Sequence, residues 1–132
     1  MKLIGRQLSR YLLVGLLNTA VGGSVIYAMH NGAGQGIILS NVVGYGFGLC
    51  VSYIGNRHWT FEVSKPGLFA PFLFLLLVLI AFCVNLGVTI GLVGVGVRYN
   101  VTQFFGLLSY SALVFLGSKF IVFGERKNAH AE

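Results

Sequence analysis

The sequence predicts an all-α integral membrane protein with four transmembrane helices. Hydrophobic residues make up 56% of the 132 residues and charged residues only 9%, against roughly 25% charged residues in an ordinary soluble domain. Four apolar stretches, at residues 11–30, 37–56, 68–93 and 101–123, are each long enough to cross a hydrocarbon core of about 30 Å as a helix. Residues 1–132 are therefore predicted to be a single transmembrane domain.

The positions of the basic residues predict that both termini and the central loop are cytoplasmic. Basic residues precede the first stretch, follow the second and close the fourth, whereas the two opposite loops contain only Arg98. Basic residues are enriched in the cytoplasmic loops of membrane proteins. The net charge of +6 thus sets topology and does not indicate nucleic-acid binding, because no folded polar surface carries it. The cytoplasmic residues are Lys2, Arg6, Arg10, Arg57, Lys65, Lys119, Arg126 and Lys127.

The first stretch carries a face of small residues at a spacing of four: Gly15, Thr19 and Gly23. Asn18 is its one strong amide, and an amide in hydrocarbon is costly unless it is paired. Asn18 is therefore expected to face protein or a hydrated cavity. An interhelical hydrogen bond and a substrate contact both remain open. The short glycine-rich turn at residues 31–36 predicts an antiparallel pair with the second helix.

The second stretch carries a continuous ridge of small and polar side chains along one helix face, which would let another helix approach closely. Arg57 opens the central loop, which runs to Gly67, and Trp59 is expected to anchor that loop at the headgroup level. The ridge consists of Ser40, Gly44, Gly48, Ser52 and Asn56.

The third helix is predicted to begin near Leu68, with Pro71 tolerated in its first turn. Asn85 and Thr89 give its second half a small polar face. The fourth helix mixes polar residues into its apolar run and ends at Lys119.

The two halves of the chain correspond weakly but in order. Asn18 in the first helix corresponds to Asn85 in the third, and Asn56-Arg57 after the second helix corresponds to Ser118-Lys119 after the fourth. Each half contains two crossings, so both have the same orientation in the membrane. The halves are thus predicted to be parallel-repeat helical hairpins, with Asn18 and Asn85 facing one another across a pseudo-twofold axis.

The inventory of side chains argues against an enzyme. The chain has no Asp, and its three acidic residues all lie outside the apolar stretches, which excludes a carboxylate dyad and disfavours a metal site. Neither metal nor cofactor is expected. The absence of an intramembrane acid also disfavours a proton-coupled exporter. The acidic residues are Glu62, Glu125 and Glu132, the histidines are His30, His58 and His130, and the isolated cysteines are Cys50 and Cys83.

After these exclusions, the candidate functional residues are two cations, Arg57 and Lys119, at equivalent cytoplasmic helix ends. The helix dipole and the topology rule explain part of their placement. The functional interpretation is that they hold the phosphate of an anionic lipid, with Arg57 as the better bidentate partner.

Three motifs together carry a resemblance to a known family. They are Arg10-Tyr11-Leu-Leu-Val-Gly15-Leu-Leu-Asn18-Thr19, Asn56-Arg57-His58-Trp59-Thr60-Phe61 and Ser118-Lys119-Phe120-Ile121-Val122-Phe123. The chain resembles the GtrA-like family of small four-helix membrane proteins. The resemblance implies a flippase in the bacterial cytoplasmic (inner) membrane, which moves a polyprenyl-phosphate-linked sugar, such as glucosyl undecaprenyl phosphate, for cell-surface polysaccharide and O-antigen modification. It also implies partner membrane glycosyltransferases.

On that resemblance, Arg57 and Lys119 would engage the lipid phosphate, and a set of polar side chains would contact the sugar as it crosses. Four short helices hardly enclose a hydrophilic groove, so a homo-oligomer or a complex with a transferase is expected. An alternative is a non-transporting subunit that recruits or stabilises a glycosyltransferase, and a small-molecule exporter is a third. The predicted sugar-path residues are Asn18, Asn85, Ser52 and Asn56.

Overall fold

The computed structural model describes residues 1–124, and all regular structure in this part of the chain is helical. The helices are α1 (Lys2–Tyr27), α2 (Ile37–Gly55), α3 (Ala70–Gly94) and α4 (Tyr99–Gly117). All four are long and apolar enough to cross a membrane. The residues Glu125, Arg126, Lys127, His130 and Glu132 lie outside the described part.

The predicted all-helical membrane fold is confirmed. A helix satisfies its backbone hydrogen bonds internally, which the water-free bilayer core requires. The chain divides into two compact units, residues 1–65 and a second unit that begins at Pro66. The first unit contains the antiparallel pair of α1 and α2, and the second contains the pair of α3 and α4.

Helix α1 starts nine residues before the apolar stretch, at Lys2 instead of Tyr11. The apolar pattern marks the part of a helix that lies in hydrocarbon and carries no information about where the helix ends in water. Arg6 and Arg10 lie in this added part at a spacing of four, so they share one helix face. The extension therefore directs both guanidinium groups toward the same side of α1.

In the first unit, α1 and α2 cross closely at two glycines. A β-carbon built on Gly44 would lie 2.8 Å from the carbonyl oxygen of Gly22, and one on Gly22 would lie 3.1 Å from the carbonyl oxygen of Gly44. The small-residue ridge predicted for the second helix is buried from Ser40 to Asn56. The ridge is thus a packing surface for α1, as its spacing indicated.

The second unit packs in the same manner with different residues. A β-carbon on Gly106 of α4 would lie 2.7 Å from Thr89 Oγ1 of α3, and one on Gly117 would meet the side chain of Leu77. Pro71 occupies the first turn of α3, as predicted. Large apolar side chains on the outer faces of both hairpins are exposed, which is the arrangement that lipid requires.

Helices α1, α2 and α4 each end in a π-helical turn, at Ala28–Gly32, Asn56–Thr60 and Ser118–Val122 respectively. In the second of these turns the Phe61 amide donates to the Asn56 carbonyl oxygen over 2.9 Å. The sequence placed Arg57 at the start of a loop, but the structure places it inside this turn. This turn contacts α1, and the apolar pattern does not distinguish a π turn from the start of a loop.

Candidate functional site

The π turns that end α2 and α4 place the two predicted phosphate-binding cations in matching local surroundings. Each turn begins with a polar residue that is fully buried, Asn56 in one and Ser118 in the other. The cation follows directly, as Arg57 or Lys119, at a helix C-terminal end that favours positive charge. The correspondence predicted from sequence therefore extends to local backbone geometry.

Arg57 donates hydrogen bonds to two carbonyl groups of the loop that follows its own turn. Arg57 Nε lies 3.4 Å from the Val63 oxygen, and Arg57 Nη2 lies 3.3 Å from the Ser64 oxygen. Both bonds are longer than the usual 2.7–3.2 Å range for an N–H···O bond. The guanidinium is thus held weakly by neutral acceptors, which an anion could replace.

Lys119 is half-buried, and its ammonium lies 5.7 Å from the centroid of the Phe120 ring. Within residues 1–124 the only carboxylate side chain is that of Glu62, and both of its recorded ion pairs involve arginines of α1. No ion pair of Lys119 is therefore present in the described part of the chain.

The polar residues predicted to line a sugar path on α2 are buried inside the first hairpin. Asn56 is 0% exposed and Ser52 is 9% exposed. Asn56 Nδ2 donates to Ser52 Oγ over 3.3 Å. Within residues 1–124, Asn56 Oδ1 and Thr60 Oγ1 are buried and make no hydrogen bond. Buried polar atoms of this kind are costly, so this end of the hairpin is not fully satisfied in its packed form.

Asn18 and Asn85 each lie against a glycine of the neighbouring helix in their own hairpin. The Asn18 amide oxygen occupies the space where a side chain on Gly48 would begin, and the Asn85 amide oxygen does the same at Gly106. Asn85 Oδ1 also accepts a hydrogen bond from Thr89 Oγ1 at 3.3 Å. The structure thus places both amides in helix packing. Their pairing across a pseudo-twofold axis stays a prediction.

A second cluster of charges, which the sequence did not indicate, joins the start of α1 to the loop after α2. Arg10 Nη1 donates both to Glu62 Oε1 and, over 2.6 Å, to the Trp59 carbonyl oxygen. The Arg10 guanidinium lies 5.4 Å from the centroid of the Trp59 ring. Arg6 Nη2 lies 3.8 Å from Glu62 Oε2. About 50 residues separate the partners, so only the folded hairpin brings them together.

Glu62 adopts a left-handed backbone conformation, with φ of 54°, which is uncommon for a residue other than glycine. A shallow cleft beside it is lined by His58, Glu62, Val63 and Ser64. The hydrogen bond from Arg10, the charge of Arg10 and the charge of Arg6, in that order, hold the pKa of Glu62 below its ordinary value of 4.5. The carboxylate is therefore ionised at neutral pH and held by two cations.

The lowered pKa of Glu62 gives a pH prediction with a definite sign. The contact of ionised Glu62 with Arg10 contributes stability above the unfolded-state pKa of 4.5, and the contribution is lost as the pH falls through the lower folded-state pKa. We expect Trp59 emission to report this transition below pH 4.5 and Glu62→Gln to lack it. A Glu62-dependent transition above pH 4.5 would contradict the assignment.

Comparison with known proteins identifies a family and a relative of this chain. The family model described as the GtrA/DPMS transmembrane domain matches residues 10–123. A bactoprenol-linked glucose translocase of Shigella flexneri is 35% identical over 63 residues, which are 48% of this chain and 51% of that protein. The match thus spans about half the length of the relative.

The family match begins at Arg10 and ends at Phe123, so it includes both helix-end motifs and all four apolar helices. The family and the helices together make the chain a multi-pass protein, and the bacterial relative supports the inner membrane as its location. The resemblance seen in the sequence is confirmed. Because the family model covers most of its length, the chain belongs to the GtrA/DPMS transmembrane domain family.

Proposed function

We propose that the protein translocates a polyprenyl-phosphate-linked sugar across the cytoplasmic membrane for cell-surface polysaccharide or O-antigen modification. Glucosyl undecaprenyl phosphate is the first candidate substrate, because the relative is named as a translocase of bactoprenol-linked glucose. The observation that carries the proposal is the matching pair of π turns, each of which presents a cation after a buried polar residue.

Arg57 and Lys119 would bind the lipid phosphate. Arg57 can exchange its two long bonds to loop carbonyl groups for two shorter, charge-assisted bonds to phosphate oxygens, in the bidentate geometry that a guanidinium favours. Lys119 would act as a point charge at the equivalent helix end. In this role the protein moves a lipid and makes or breaks no covalent bond, so we propose that it is not an enzyme.

The sugar would contact Asn56, Ser52, Asn18 and Asn85 only after a hairpin opens. In the packed hairpins these side chains contact their own helix or the neighbouring one, and Asn56 is fully buried. A sugar hydroxyl could supply the hydrogen bond that buried Asn56 Oδ1 lacks in the described part of the chain. Opening would therefore give the Asn56 amide oxygen a hydrogen-bond donor that it lacks in the packed hairpin.

A second candidate function is a non-transporting subunit that recruits or stabilises a membrane glycosyltransferase. One observation favours it: β-carbons built on Gly15 and Gly23 of α1 would meet no atom of their own hairpin within 4 Å. Two glycines that the hairpin leaves uncovered allow close approach of another transmembrane helix, whether of a transferase or of a second copy of this chain. A homo-oligomer and a transferase complex both use such a surface.

Liposomes that contain only this protein separate the two functions. We expect a labelled polyprenyl-phosphate sugar to move from the inner to the outer leaflet faster than it does in protein-free liposomes. A membrane-impermeant reagent measures the labelled sugar that has reached the outer leaflet. A labelled phospholipid included in the same liposomes serves as the control, because its movement between leaflets would reveal leakage. Transport no faster than in protein-free liposomes, together with loss of a partner transferase when this chain is deleted, would favour the subunit function.

A further inference from the structure

The loop after α2 binds basic side chains from two parts of the first hairpin. Residues 61–64, here called the latch segment, place the Glu62 carboxylate on Arg6 and Arg10 of α1. The same segment supplies two backbone carbonyl groups to Arg57. Three consecutive residues, Glu62, Val63 and Ser64, thus supply acceptors to three cations that lie at one end of the hairpin.

We propose that Arg6 and Arg10 form a binding site for a lipid phosphodiester, and that Glu62 occupies this site as an internal anion until the lipid displaces it. The proposal extends the proposed function, on which it rests for the choice of lipid. It adds Arg6 and Arg10 to the residues that bind the lipid phosphate, and it gives the latch segment a role in substrate entry.

The chemistry of Glu62 matches the ligand that would replace it. A carboxylate and a phosphodiester each carry one negative charge shared by two unbridged oxygens, and a guanidinium binds both through paired N–H donors. Arg10 is oriented by its bond to the Trp59 carbonyl oxygen and by the Trp59 ring. Tryptophan is enriched at headgroup depth, which is the depth of a lipid phosphate.

The internal anion is accessible to a competing ligand. The Glu62 side chain is 52% exposed, and those of its partners Arg6 and Arg10 are 54% and 23% exposed. The pair with exposed Arg6 contributes little to stability, so Arg10 is the partner from which a ligand must displace the carboxylate. Glu62 is held in the left-handed region, which disfavours the closed latch. In the turn that precedes the latch, Asn56 Oδ1 and Thr60 Oγ1 are buried without a hydrogen bond from residues 1–124, so opening would let solvent or ligand reach them.

Displacement of Glu62 would also release Arg57 if the backbone of the latch segment moves with it. Val63 and Ser64 follow Glu62 directly in the chain, and consecutive Cα atoms are about 3.8 Å apart. A displacement that moves the Glu62 backbone together with its side chain would therefore strain the two bonds from Arg57, which are already long. Such a movement would couple binding at Arg6 and Arg10 to exposure of Arg57.

Equilibrium binding to the full chain tests this inference without a transport assay. The protein is placed in nanodiscs of neutral phosphatidylcholine, and the probe is a radiolabelled short-chain glucosyl polyprenyl phosphate, with empty nanodiscs subtracted. We expect Glu62→Gln to bind about fivefold more tightly than the wild type, because the competing anion is gone. Arg10→Gln should bind about tenfold more weakly. Lys2→Gln removes a charge from the same end of α1 without touching the cluster and should leave binding unchanged.

Trp59 is the only tryptophan of the chain and provides a second readout. The probe should change its emission saturably in the wild type, because a phosphodiester replaces the Glu62 carboxylate on the Arg10 guanidinium that lies over the ring. A second arm replaces the probe with phosphatidylglycerol in the nanodisc. An equal response there, again stronger in Glu62→Gln, supports the phosphodiester site and assigns it to bulk anionic lipid. A response to the probe alone assigns it to the glycolipid.

Unchanged binding in Glu62→Gln overturns the inference, and tighter binding cannot arise from misfolding. Equal binding of the probe by Arg10→Gln and Lys2→Gln also overturns the inference. Failure of the proposed function is a different result: binding follows the predicted order of variants, but liposomes with the wild-type chain show no sugar transport.

Discussion

Gly44→Leu is expected to destabilise the first hairpin by about 3 kcal/mol, the upper part of the range for overpacked sites. A β-carbon at this position would lie 2.8 Å from the backbone oxygen of Gly22 and would overlap the side chain of Ile26. Ile26 could change rotamer, but the α1 backbone cannot move without separating the two helices. The substitution therefore removes the close approach on which the packing of the buried ridge depends.

Gly46→Leu is the matched control, because it lies two residues away on the same helix and its β-carbon would meet nothing within 4 Å. Unfolding by sodium dodecyl sulfate in mixed micelles, followed by Trp59 emission and helical circular dichroism, measures both variants. Gly46→Leu should unfold at the wild-type detergent fraction. Equal behaviour of the two variants would show that the glycine crossing does not determine the stability of the hairpin.

The sequence predicted the membrane fold because hydrocarbon places a simple demand on the chain. Each crossing needs about 20 apolar residues with internally satisfied backbone groups, and such runs are visible without knowledge of any partner. The ridge from Ser40 to Asn56 was visible for a related reason. Residues at a spacing of four share a helix face whatever lies opposite, and the structure places α1 against that face.

Features that depend on a distant partner could not be predicted. The Arg10–Glu62 contact joins residues 52 positions apart, and nothing local distinguishes Arg10 from a residue that only sets topology. The start of α1 at Lys2 was missed because the charged residues before Tyr11 are good helix formers that an apolar pattern ignores. The π turn around Arg57 was missed for a related reason, because the apolar pattern does not distinguish a π turn from the start of a loop.

The candidate site was predicted in part. The recurrence of a cation after a small polar residue identified Arg57 and Lys119, and the structure adds that both lie in π turns behind a buried residue. The sequence could not say whether Asn56 and Ser52 line a path or pack a helix pair, because both roles require small polar residues. The structure has them packed, so their contact with sugar depends on opening of the hairpin.

Arg57→Ala combined with Lys119→Ala is expected to lower sugar transport in liposomes by at least about tenfold. A hydrogen bond to a charged group contributes about 1.5–3 kcal/mol, and about 1.4 kcal/mol corresponds to a factor of ten in binding. Even one lost phosphate contact therefore reaches this threshold. Arg57→Lys with Lys119→Arg keeps both charges. It should retain more transport than the alanine pair, although less than the wild type, because an ammonium at position 57 cannot bind two phosphate oxygens as a planar fork.

The double variant Lys2→Ala, Lys65→Ala controls for charge, because it removes two basic residues that lie on the same side of the membrane in the expected topology. If basic residues serve only to orient the helices, both double variants should lower transport equally, through inverted insertion that protease accessibility would reveal. If Arg57 and Lys119 bind phosphate, only their removal should lower transport, with insertion unchanged and weaker binding of the lipid. Full transport by correctly inserted Arg57→Ala, Lys119→Ala protein would exclude the phosphate site at the helix ends and leave Arg6 and Arg10 to bind the lipid without them.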